Sequence, residues 1–271
     1  MTPVIKTIEL PNRVTLPYVE QGASTGVPLL LLHGVTDSWR SFELVLPHLP
    51  EAIHAFALTQ RGHGDAERPV TGYRTRNFAA DVAAFTEALG LGPTLVVGHS
   101  MGSTNAQRFA IDYPERTLGV VLAGAFASYR DNPAVTEFWE TTVSRLADPI
   151  DPGFVREFQQ GTLAQPVPPA FFDAIVQESL KVPARVWRAA FEGFLEDEAA
   201  AELGKIRAST LVIWGARDAL CSRRDQDALL AAIGGSRLMI YEGAGHGLHW
   251  EEPARFARDL VAFARTLVPG R

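Results

Sequence analysis

The pentapeptide Gly98-His99-Ser100-Met101-Gly102 constrains this chain most, because of what flanks it. Ahead of it lies Thr94-Leu95-Val96-Val97, apolar enough for a strand buried on both faces. Behind it a helix-compatible run extends from Gly102 to Tyr113. A G-x-S-x-G pattern between a buried strand and a helix lifts the serine onto a sharp turn at the carboxyl end of a sheet strand. The two glycines then have a steric job, since bulky side chains beside so tight a turn would clash. The helix start sets backbone N–H groups and a positive dipole end beside Ser100, where an oxyanion would form.

Other buried runs repeat the theme. Val4 to Leu10 and Val14 to Glu20 read as a hairpin around Pro11-Asn12. Pro28-Leu29-Leu30-Leu31-Leu32 suits a strand covered on both faces of a parallel sheet, and Ile53 to Leu58, Gly119 to Leu122, Thr210 to Trp214 and Leu238 to Tyr241 follow. Helical patterns lie between most of them. From Thr75 to Leu89, Phe78, Val82, Phe85 and Leu89 recur at one-face spacing and Gly90 supplies the stop. In the last helix, Pro253 sits near the start and Phe256, Leu260, Phe263 and Leu267 form the stripe. Strands alternating with helices predict an α/β fold with a mostly parallel, doubly wound sheet.

The alternation fails from about Ala127 to Leu203, where seven prolines break the chain into short helices and no strand is evident. Its aromatics are too many to leave in water without an apolar partner surface. The expectation is a helical cap, residues 127–203, inserted between strands six and seven of a core formed by residues 1–126 and 204–271. Phe138, Trp139, Phe171, Trp187 and Phe191 are the expected substrate-binding side chains, although some cap aromatics must serve as packing.

A serine needs a base and an orienting acid. Asp218 follows the strand Thr210 to Trp214, and His246 follows the strand Leu238 to Tyr241, so both fall on loops past strand ends in the chain order Ser, acid, His. His249 competes for the base, but Gly245 and Gly247 flank His246 and suit a closely packed loop. His99 leaves the turn in another direction, and His63 suits loop stabilisation. The loop Gly124 to Tyr129 holds no carboxylate, and Asp225 and Asp227 fall in a following helix. Cys221 reads as a small packing residue. For an oxyanion hole, the backbone N–H groups of Met101 and Val35 are the expected donors, with Gly34 admitting close approach and His33 bracing the loop.

Together, His33-Gly34, Arg61-Gly62-His63-Gly64, Gly98-His99-Ser100-Met101-Gly102, Trp214-Gly215-Ala216-Arg217-Asp218 and Gly245-His246 resemble the signature set of the α/β-hydrolase superfamily over almost the whole chain. The resemblance implies an eight-stranded, mostly parallel sheet flanked by helices, a Ser-Asp-His triad and a cap over the active site. One departure is Thr59, where family members often carry Asp two residues before the Arg-Gly-His-Gly stretch; it touches a loop contact, not the triad.

Within that superfamily, dehalogenases and epoxide hydrolases place Asp at the elbow, so Ser100 argues for acyl transfer. The expected substrate is a small apolar carboxylic ester or lactone, with no cofactor and no metal. Carbon-carbon bond hydrolysis of a dienoic diketone, a perhydrolase or cofactor-free haloperoxidase activity, and a ligand receptor on a hydrolase scaffold are the alternatives. Composition narrows the partners: 25 Lys and Arg against 31 Asp and Glu give a formal charge of -6, with no basic stretch to track nucleic acid. A single cysteine excludes an intramolecular disulfide. Met1 to Lys6 shows no basic region before a long apolar run, and no stretch reaches membrane-helix length. A cytoplasmic monomer or homodimer is expected.

Overall fold

The structure, a computed structural model, describes residues 3–197 and 199–268. Among these, eight strands form one sheet: β1 (Ile5–Glu9), β2 (Thr15–Gln21), β3 (Val27–Leu32), β4 (Ile53–Leu58), β5 (Thr94–His99), β6 (Thr117–Ala123), β7 (Thr210–Gly215) and β8 (Arg237–Tyr241). Their order is β1-β2-β4-β3-β5-β6-β7-β8. β2 pairs antiparallel with β1 and β4, and every other pairing is parallel. Each run read as a strand is one, with ends shifted by at most two residues.

The four-leucine run shows why this sheet is buried on both sides. Successive side chains of a strand point to opposite faces, so Leu29 and Leu31 enter one apolar cluster and Leu30 and Leu32 the other. All four are 0% exposed, and each contributes roughly 1.5–3 kcal/mol of transfer free energy. The first cluster is closed by α10 (Pro253–Leu267), through Phe256, Leu260 and Phe263, and by the turn Trp39–Phe42. On the opposite face lie α1 (Thr75–Ala88), α2 (Met101–Asp112) and α8 (Arg223–Ala232), through Val82, Phe85, Phe109 and Leu229.

Between β6 and β7 come α3 (Pro133–Thr141), α4 (Pro152–Gln160), α5 (Pro169–Leu180), α6 (Ala184–Leu195) and α7 (Ala199–Glu202). Three prolines that break the pattern open α3, α4 and α5. Proline is tolerated there because the first helical N–H has no intrahelical partner. Asn132 and Asp151 cap α3 and α4 through side-chain oxygens. Helices α3 to α6 share one apolar cluster with Met101, Trp214 and Cys221, which places them over the carboxyl ends of the central strands. A short helix, α9 (Leu248–Glu251), precedes α10. Among the described residues no helix is long and apolar enough to cross a membrane.

Candidate active site

Ser100 stands between β5 and α2 with φ 51° and ψ −118°, a left-handed backbone that a non-glycine residue adopts only under constraint. The constraint is visible. Its N–H donates to the Ala123 carbonyl of β6 at 3.0 Å, and its own carbonyl accepts the Ser103 N–H at 2.8 Å and the Ser103 hydroxyl at 2.6 Å. The flanking glycines permit the approach. A Cβ on Gly98 would lie 2.1 Å from the Gly102 carbonyl oxygen, and one on Gly102 would lie 2.0 Å from that of Leu32.

The loops after β7 and β8 bring Asp218 and His246 together. His246 Nδ1 lies 2.8 Å from Asp218 Oδ2, with both side chains almost wholly buried. The other carboxylate oxygen accepts the N–H groups of Leu220 and Cys221 at 2.8 and 2.9 Å. Burial alone would raise the Asp218 carboxyl, but the His246 imidazole and these two N–H donors outweigh it and hold it below its usual range. An ionised Asp218 fixes the proton on His246 Nδ1 and leaves a lone pair on Nε2. Gly124, at φ 51°, passes so close that a Cβ there would meet the His246 ring at 3.1 Å.

The competing side chains make other hydrogen bonds, although His99 borders the same cavity. His249 Nε2 bonds to the Ser41 hydroxyl at 2.9 Å, and burial drives its imidazole well below the ordinary range. His99 donates from Nε2 to the His246 carbonyl at 3.0 Å, and burial, with His246 beside it, pushes its imidazole down to about 3. His63 bonds to the Arg61 carbonyl, and burial brings it to about 4. Asp225 caps α8 by accepting the Ser222 N–H and hydroxyl, and Asp227 pairs with Arg223 on the surface. The Cys221 thiol donates to the Gly124 carbonyl. Thr59 Oγ1 accepts the Trp39 N–H at 3.2 Å, so a hydroxyl supplies the loop contact at this departure from the family pattern.

The loop after β3 faces the same space. His33 Nδ1 donates to the Gly34 carbonyl at 2.7 Å and Nε2 accepts the Gln60 N–H at 2.9 Å, an arrangement that requires the neutral ring. Burial lowers its basicity accordingly. Gly34 is needed for closeness: a Cβ there would stand 3.1 Å from His99 Nδ1 and 3.4 Å from Ser100 Cβ. Val35 and Ser100 border one cavity with His246.

That cavity holds about 270 Å³, at the lower edge of ordinary small-molecule sites. Val135, Phe138, Phe158, Phe191, Phe194 and Leu220 form much of its wall. Of the five aromatics expected against substrate, Phe138 and Phe191 lie on it, whereas Trp139, Phe171 and Trp187 do not. Trp187 is 0% exposed, stacked behind Phe191 at an interplanar angle of 7° and covered by Phe154 and Phe158. Phe171 packs edge-on against Trp250, and Trp139 lies against the helical cluster. Helix spacing identifies an apolar face but not which of its rings opens on a void.

Among the polar wall residues that escape the sequence reading are Asp37 and Gln159. Asp37 is only two residues past Val35, and its place in the loop after β3, where an oxyanion donor was expected, was the available signal. Burial raises its carboxyl to about 7, against the lowering contributions of hydrogen bonds from Gln159 and Ser41. Between about pH 4, where the unfolded carboxyl ionises, and pH 7, the folded state holds a proton that the unfolded chain has lost. Stability therefore falls as pH rises through that window. Asp37→Asn removes the penalty, and urea denaturation is expected to show the variant more stable at pH 8 by up to about 4 kcal/mol, with the gap closing near pH 4. A gap independent of pH would contradict this.

A family model for the alpha/beta hydrolase fold matches residues 27–253. The chain belongs to that family. A 2-(acetamidomethylene)succinate hydrolase from Mesorhizobium japonicum is 35% identical over 124 residues, 46% of this chain and 44% of that protein, so the chain spans under half of that relative's length. A non-heme chloroperoxidase from Streptomyces lividans is 27% identical over 96% of this chain and 99% of its own. Among solved structures, an esterase from Exiguobacterium antarcticum superposes with a TM-score of 0.86 at 22% identity, covering 97% of this chain and 100% of that one. At that identity the likeness speaks for the fold alone.

Proposed function

We propose that this α/β-hydrolase is a serine hydrolase that cleaves a carboxylic ester or lactone of a small apolar molecule through an acyl-enzyme on Ser100. The observation that carries the reading is that Ser100, on its strained elbow, shares a small, mostly apolar cavity with His246, whose Nδ1 is bound to buried Asp218. His246 Nε2 takes the proton of Ser100 as the hydroxyl attacks the acyl carbon, then returns it to the leaving alkoxide. Water, deprotonated by the same imidazole, releases the acid and restores Ser100. Asp218 holds the tautomer and steadies the transient imidazolium. The N–H groups of Val35 and Met101 receive the oxyanion. No cofactor or metal enters this sequence. Residues 127–203 act as the cap over a core of residues 1–126 and 204–271, with Phe138 and Phe191 against the acyl group.

The near full-length likeness to a chloroperoxidase favours a second reading, in which hydrogen peroxide replaces water on the same acyl-enzyme and a peracid leaves. Both share the acyl-enzyme, so one experiment tests both. A serine-directed phosphonate is expected to label Ser100, located by peptide mass spectrometry, and to abolish turnover of p-nitrophenyl esters. A folded sample with Ser100 unmodified would sink the proposal.

A further inference from the structure

The oxyanion loop is not held by its own residues alone. Thr36 has φ 71°, a left-handed backbone that a β-branched residue adopts at a cost of about 1–3 kcal/mol and only where its surroundings over-determine it. Those surroundings come from the helical segment, more than a hundred residues away. Gln159 on α4 directs its side-chain Nε2 at the loop, 3.1 Å from Thr36 Oγ1 and 3.1 Å from Asp37 Oδ1, and at Ser179 Oγ on α5, 2.8 Å away. Thr36 donates its hydroxyl to Ser179 Oγ at 3.2 Å, and Ser179 donates to the Ile175 carbonyl at 3.0 Å. All four side chains are at most 2% exposed. In so dry a setting each lost partner leaves a polar group unsatisfied, which makes the cluster rigid.

From this geometry we infer that Gln159 is a positioning residue for the oxyanion hole: by tying Thr36 and Asp37 to α4 and α5 it fixes where the adjacent Val35 N–H points. The inference rests on the ester-hydrolysis reading and on Val35 as a donor. It makes the helical segment part of the catalytic apparatus and not only a lid, because the loop adopts its strained form while α4 is docked. A donor displaced by about 1 Å costs on the order of 10²-fold in rate. Gln159 also borders the cavity, so direct contact with substrate is the competing role.

The test separates the two. Gln159→Met keeps length and removes the donor. With p-nitrophenyl acetate, kcat is expected to fall about 10- to 100-fold with KM nearly unchanged. The inhibition constant of a trifluoromethyl ketone, whose adduct places an oxyanion in the hole, should rise by the same factor as kcat/KM falls. A rise in KM at constant kcat, or kcat lost with no change in ketone affinity, overturns the positioning role. Gln159→Glu, close in shape, is measured in the same way should the methionine variant not fold. Ser100→Ala run alongside distinguishes the failures: full activity there refutes the ester-hydrolysis reading itself, whereas loss there with unchanged Gln159 variants refutes only this inference.

Discussion

Ser100→Ala and His246→Ala are each expected to lower kcat on a p-nitrophenyl ester by about 10⁴- to 10⁶-fold, with the double variant little worse than either. The near equality follows from the proposed mechanism. Without the Ser100 hydroxyl the imidazole has no proton to take, and without the imidazole the hydroxyl stays a weak nucleophile. Residual turnover comes from the oxyanion donors and binding, which neither substitution touches. Losses that multiply in the double variant would mean that the two side chains act separately. Should His249→Ala instead prove the more damaging histidine change, the base is misassigned, although the Ser41 contact of His249 gives it a packing role.

Gly102→Ala is expected to be among the most damaging single methyl additions, destabilising by about 4 kcal/mol or more or leaving the protein insoluble. The new Cβ would stand 2.0 Å from the Leu32 carbonyl oxygen and 2.8 Å from that of His33. Both are backbone atoms that cannot rotate away, and both belong to the strand and loop that carry the proposed oxyanion donor. Relief requires β3 and α2 to separate, which opens the apolar cluster holding Leu30, Leu32 and Ala106. Thermal denaturation compared with Gly90→Ala is the check. At Gly90 a Cβ meets nothing within 4 Å, although φ of 63° adds backbone strain of its own. Equal melting points for the two variants would show that the elbow tolerates the methyl group.

The centre of the sheet was legible because its strands are covered on both faces and therefore uniformly apolar, as in Leu29 to Leu32 and Leu95 to Val97. The positions of Ser100, Asp218 and His246 were legible for a related reason: each follows a strand, and parallel strands deliver their following loops to one end of the sheet. The lining of the cavity was not. Phe191 and Trp187 lie four apart on α6, on one face by any helical count. One borders the void and the other is sealed behind it only because Phe154 and Phe158 of α4 cover the tryptophan.

Sequence by itself thus determined the α/β-hydrolase architecture and the placing of Ser100, Asp218 and His246, the proposed nucleophile, acid and base, just past strand ends, since strand burial and a glycine-flanked serine are local signals with one steric solution. Only the tertiary structure decided that Asp37 would be buried with a raised carboxyl and that Gln159, 122 residues further on, would meet it. Neither residue carries a local pattern. Their properties come from desolvation and from hydrogen bonds between distant segments, and both exist only once the helices between β6 and β7 have docked on the sheet.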